Sequence, residues 1–167
     1  MPDAWDTSVV SRASARHAAL LHHHLATETP IALPAPTVQE MARGLQLRAV
    51  RGGVDRSFDW LSALIAHSLI RIVPFAATSA VLAGRLLALH PHPPTRNHRR
   101  HGTRAQQRAA WALDIQIAAC AFAGGYGLLT ENVDDFAVLR DAIAELLPGI
   151  PPLAVTDVRY SNARLER

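Results

Sequence analysis

The 167-residue sequence contains no lysine and one cysteine, Cys120. A single cysteine excludes an intramolecular disulfide and argues for a reducing, cytoplasmic setting. Its surroundings, "IAACAFA", predict a small buried thiol rather than a reactive one. No apolar run approaches the ~20 residues that a membrane span requires. The N-terminus, "MPDAWDTSVV", lacks the apolar core of a signal peptide. Aromatic residues make up 5% of the chain, and Trp5, Trp60 and Trp111 are too scattered for a base-stacking platform, so core packing is expected of them. G-x-S-x-G, P-loop and G-x-G-x-x-G patterns are absent, as are internal repeats.

What is present describes an ordinary globular protein: 49% hydrophobic and 19% charged residues, long enough to bury a core. All 17 basic residues are arginines, and they are unevenly placed. Residues 91–108 hold Arg96, Arg99, Arg100, Arg104 and Arg108 and no acid, whereas the other 12 arginines face all 14 acids. The net charge of +3 therefore comes from this one segment. It is either a phosphate-contacting loop or a solvated linker. His90, His92, His98 and His101 lie in or beside it without the spacing of a structural zinc site. His22, His23 and His24 face different sides of a helix and cannot chelate one ion together.

Short apolar runs alternate with helical patterns, which predicts an α/β domain with a mainly parallel sheet. A short strand ends near Asp6, and Thr7 or Ser8 caps a helix running to about His24. "TPIALPAP" supplies a second strand, and a helix starts at Thr37 and ends near Gly52 and Gly53. "SFDWLSALIAHSL" reads as a helix, "IRIVPF" as a strand and "TSAVLAGRLLALH" as a helix. The longest helical pattern, from Arg104, stops at Gly124 and Gly125. "GLLT" is the next strand, Asp135 to Leu147 a helix, and "PLAV" a last edge strand before a polar tail, 159–167.

This order places Asp6 and the bend from Thr130 to Asp135 at strand ends, where parallel sheets bind ligands, and Glu40 near the start of a helix entered from another strand. Each acid also has a structural reading. Thr37 and Glu40 fit a capping box. Asp6 suits an N-cap, and Asp134 and Asp135 suit a helix start. Asp114 is harder to explain, because its helical neighbours Ala110, Trp111, Ile117 and Ala118 are all apolar. A charge there requires a partner, either a cation or an arginine such as Arg71 or Arg85.

Taken in order, "DTSVV", "TVQEMARGL", "DIQIAACA" and "LLTENVDDF" resemble the four acidic motifs of PIN-domain ribonucleases, and of the VapC toxins of toxin–antitoxin pairs in particular. "RIVPFAATSAVLAGRL" is similar to that family as well. The resemblance implies a three-layer α/β/α PIN-like domain over residues 1–158, with 91–108 as a basic loop insertion. It implies a metal-dependent endoribonuclease that uses Mg2+ or Mn2+ on Asp6, Glu40, Asp114 and Asp135. Thr7, Ser8, Thr130, Asn132 and Asp134 would support these acids, Asp134 being the rival of Asp135. Arg96, Arg99, Arg100 and Arg104, from the acid-free stretch rather than from the family pattern, would then contact RNA phosphates. A VapB-like antitoxin and a homodimer are further implications. A nuclease of RNA processing or DNA cleavage, and a non-catalytic RNA-binding module, are the alternatives. Three features depart from the family pattern: a short first strand, Glu131 where a basic residue is usual, and the long basic loop.

Hard cations prefer oxygen ligands, and a carboxylate cluster without a cation would repel a phosphodiester. The crowding of Glu131, Asn132, Asp134 and Asp135 at one bend is expected on that basis.

Overall fold

The computed structural model describes residues 1–11, 16–50, 56–94, 103–159 and 161. Gly52, Gly53, Arg96, His98, Arg99, Arg100 and His101 lie outside them. Among the described residues five strands form one sheet: β1 (Asp3–Trp5), β2 (Ile31–Pro34), β3 (Ile70–Val73), β4 (Gly127–Thr130) and β5 (Val155–Asp157). Their order is β3-β2-β1-β4-β5, and every neighbouring pair is parallel. Parallel pairing requires crossovers, and helices supply them. These are α1 (Thr7–Val10), α2 (Ala18–Ala26), α3 (Ala35–Val50), α4 (Arg56–Ala66), α5 (Ala77–Leu89), α6 (Arg104–Ala123) and α7 (Val133–Leu146).

The side-chain period of two divides the strands between two cores. Ala4, Ala32 and Leu128 join Leu86, Trp111, Ile115, Phe136 and Ile143, from α5, α6 and α7. Their strand neighbours Trp5, Ile31, Leu33 and Leu129 join Val9, Leu20, Met41 and Leu61, from α1 to α4. Helices therefore cover both faces of the sheet, giving the expected three-layer α/β/α arrangement. Among the described residues no helix is long and apolar enough to cross a membrane.

Several element boundaries differ from the sequence reading, each for a local reason. The first helix is two, because α1 ends at Val10 and α2 begins at Ala18. Its N-cap is Asp6 itself, whose side chain accepts from the Thr7 amide, so neither Thr7 nor Ser8 is the cap. Helix α3 starts at Ala35 rather than Thr37, since the fixed φ of Pro36 suits a first turn. Helix α6 begins at Arg104 under a capping box between Thr103 and Gln106, so residues 104–108 are helical and not part of a loop. Helix α7 starts at Val133 rather than Asp135, and the edge strand is Val155–Asp157 rather than "PLAV". Trp60 is exposed, unlike the buried Trp5 and Trp111.

The stop of α6 sets the entry into β4. Gly125 has φ +75, a conformation that suits glycine. Its amide bonds Phe122 O and the Tyr126 amide bonds Ala121 O, which is a Schellman closure. Cys120 is buried on the same helix, its thiol donating to Val73 O at 3.2 Å. Burial pushes that thiol's pKa up, as suits an inert cysteine.

Candidate active site at the carboxyl edge of the sheet

In the strand order β3-β2-β1-β4-β5, the chain runs outward in one direction from β1 to β3 and in the other through β4 and β5. The switch point lies between β1 and β4, where doubly wound sheets place their ligands. Asp6 directly follows β1, and Thr130 is the last residue of β4.

Asp6 is 5% exposed, and each of its oxygens is held. Oδ1 accepts from the Thr7 amide at 2.7 Å. Oδ2 accepts from Ser8 Oγ at 2.7 Å and from Thr130 Oγ1 at 2.8 Å. No described basic side chain pairs with it. Burial raises its pKa, opposed by the hydrogen bonds from Ser8, Thr130 and Thr7.

Hydrogen bonds extend from Asp6 in both directions. Thr7 Oγ1 donates to Glu40 Oε2 at 2.7 Å, which brings α3 to the site. Thr130 Oγ1 accepts from the Asn132 amide at 2.9 Å, and Asn132 Nδ2 donates to Asp135 Oδ2 at 2.8 Å. Glu40, Thr7, Asp6, Thr130, Asn132 and Asp135 are thus one hydrogen-bonded series. Ser8 joins it from the side, because its Oγ also accepts from the Glu131 amide at 3.1 Å.

These contacts bear on readings that the sequence left open. The Thr37–Glu40 capping box does not form: Thr37 is buried inside α3, its hydroxyl donating to Trp5 O at 3.5 Å. Asp135 is 1% exposed at the third position of α7 and is held by Asn132, whereas Asp134 is exposed and takes no part in the series. Asp114 lies half-buried on α6 among the buried Trp111, Ile117 and Ala118. Arg104 is exposed at the start of that helix.

The sequence reading missed His17, Arg16 and Asp157. His17 is 1% exposed, and its Nε2 lies 2.9 Å from Glu131 Oε1. Arg16 Nη1 reaches the same oxygen at 3.3 Å. Glu131 therefore adds less negative charge to the site than its position suggested. No local signal announces these contacts, because 114 residues separate His17 from its partner. Asp157 stands opposite Thr130 in the β4–β5 register and is gripped by Arg159, which holds its carboxyl below the ordinary range.

The donor set is entirely hard oxygen, which suits Mg2+ or Mn2+. A buried carboxylate served only by neutral donors is a further fit, since a cation would favour its ionised form. Among the described residues, however, no three His, Cys, Asp or Glu side chains converge as a ready-made metal centre. Mg2+ does not require such a cage, because it keeps waters and binds through one or two carboxylates together with substrate phosphate.

No family model and no curated protein matches the chain. Solved structures do. A chain of the VapBC2 complex from Rickettsia felis, bound to a DNA fragment from their promoter, superposes with a TM-score of 0.60 at 19% identity. The match covers 94% of this chain and 98% of that one. A chain of the DNA-bound VapBC complex from Salmonella typhimurium gives 0.59 at 15% identity, covering 95% and 99%. This chain has their fold. Coverage is nearly complete in both directions, so the likeness spans almost the whole of each chain.

Proposed function

We propose that this protein is a Mg2+- or Mn2+-dependent endoribonuclease, acting as the toxin of a toxin–antitoxin pair. The observation that carries the reading is the hydrogen-bonded series from Glu40 through Asp6 to Asp135 at the switch point of the sheet. Its fold-mates come from VapBC complexes, which supports an antitoxin as partner. The acidic motifs also keep the order of the VapC pattern. A homodimer and a cytoplasmic location belong to the same reading.

In this mechanism Asp6, Asp114 and Asp135 would hold the cation, directly or through its waters, with Glu40 beside them. When bound, the cation neutralises phosphate charge and makes water a better nucleophile. The protein's own contribution is orientation. Thr130 and Ser8 fix Asp6 Oδ2, the Thr7 amide fixes Oδ1, and Asn132 aims Asp135. Supporting bonds of this kind hold a ligand set in place before substrate arrives.

Incubation of total RNA with and without Mg2+ or Mn2+, followed by mapping of the cut ends, tests the reading. Cation-dependent cleavage that is lost in Asp114→Asn, with the fold retained, is the expected result. Cleavage by the variant at the wild-type rate would remove Asp114 from the site.

A further inference from the structure

We propose that Arg16 and Arg159 form a phosphate-binding rim beside the acidic site, each anchored by an acid. The inference rests on the ribonuclease reading and concerns how that site holds its substrate. Arg16 Nη1 sits 3.3 Å from Glu131 Oε1. Arg159 Nε lies 2.9 Å from both Asp157 oxygens, and its Nη2 also donates to Oδ2. The arginine side chains are 65% and 64% exposed, whereas those of Glu131 and Asp157 are 15% and 10% exposed. The acids belong to the protein surface layer, and the guanidinium groups project from it.

Both anchors border the residue that holds the central carboxylate. Glu131 follows Thr130 in sequence, and Asp157 is paired with Thr130 across the β4–β5 ladder. Thr130 in turn donates to Asp6. The buried His17 fixes Glu131 from behind at 2.9 Å, so the anchor of Arg16 is itself positioned.

The acid partners solve a problem of electrostatics. An unanchored arginine beside several carboxylates would pair with one of them and compete with the cation for it. An acid partner lessens that competition and keeps the exposed guanidinium, whose shape suits phosphate, at the rim. The ligand class is the backbone of single-stranded RNA, bound through phosphates that flank the one at the acids.

The test measures binding of a fluorescent single-stranded oligoribonucleotide to the full chain carrying Asp114→Asn, with Mg2+ present, as a function of salt. Arg16→Ala and Arg159→Ala should each weaken binding about fivefold. Each should also lower the slope of log affinity against log salt by roughly 0.7. Arg140→Ala, which removes another acid-paired arginine from α7, should change neither quantity. Arg16→Gln and Arg159→Gln carry the same test should an alanine variant fail to fold. Unchanged affinity and slope in the double variant would overturn the proposal, as would a full chain that binds no RNA. RNA binding that depends on both arginines, together with a wild-type chain that cleaves no RNA in Mg2+ or Mn2+, would retain the rim and refute the nuclease reading.

Discussion

Thr130 and Asp6 are 124 residues apart in sequence, and the threonine hydroxyl donates to Asp6 Oδ2 at 2.8 Å inside the protein. The same oxygen atom of Thr130 accepts from the Asn132 amide at 2.9 Å. One side chain therefore joins β1 to the β4–α7 turn and couples the two acids that the turn separates. Thr130→Val keeps the shape and removes both bonds. It is expected to cost about 2–3 kcal/mol, because a buried bond to a carboxylate is lost and a partly buried amide loses its acceptor. Thr130→Ser should recover most of that loss. Urea unfolding of the three proteins decides the matter: equal midpoints would show that the hydroxyl stabilises nothing.

The Asp6 carboxyl has a consequence for stability against pH. Burial raises its pKa, so the folded state holds the proton more tightly than the unfolded state does. Below the ordinary aspartate value of about 3.9 both states are protonated and the group costs nothing. As the pH rises through that value towards the raised one, stability falls, and above it the penalty is constant. Asp3 shifts in the same direction by burial, whereas Asp157, held low by Arg159, contributes stability that is lost as the pH falls through its folded value. Asp6→Asn should remove one share of the falling slope and gain on the wild type as the pH rises above about 4. Curves that stay parallel would refute this. At neutral pH, Mn2+ should raise the melting temperature of the wild type more than that of the variant.

The strands and their order of occurrence were legible in the sequence because short apolar runs stand out between Pro, Gly and polar breaks. The "GLLT" strand and the helix starting at Arg104 match the structure to the residue. Boundaries governed by tertiary contacts were not legible. Thr37 and Glu40 satisfy the capping-box spacing, yet Pro36 draws the helix start upstream and Thr7 takes the glutamate instead. Asp6, Glu40 and Asp135, which the hydrogen bonds join, were visible as motifs. Their supports were not, since His17–Glu131 and Asp157–Thr130 join residues that only the folded sheet brings together.

Two adjacent aspartates give a sharp contrast. Asp135 is buried and held by Asn132 Nδ2, whereas Asp134 is exposed on the same turn of α7. Asp135→Asn should abolish cation-dependent cleavage, and Asp134→Asn should leave it at the wild-type rate. Asn132→Ala, which releases Asp135 without removing it, should cost about 10- to 100-fold in activity. Initial rates on one defined RNA compare the three variants, and an inactive Asp134→Asn would reverse the assignment.

Glu40 separates structure from chemistry most cleanly. Its Oε2 accepts from Thr7 Oγ1 at 2.7 Å, and the capping-box role that would have made it structural is absent. A glutamine carbonyl accepts the same hydroxyl, so Glu40→Gln should keep the contact to α1 and melt within about 0.5 kcal/mol of the wild type. It loses the negative charge, however, and with it the attraction for a divalent cation. Full stability with lost cleavage, and weaker Mn2+ binding by titration, is the expected outcome. A variant that binds Mn2+ and cleaves RNA as the wild type does would confine Glu40 to holding Thr7, leaving Asp6, Asp114 and Asp135 as the acids that carry the chemistry.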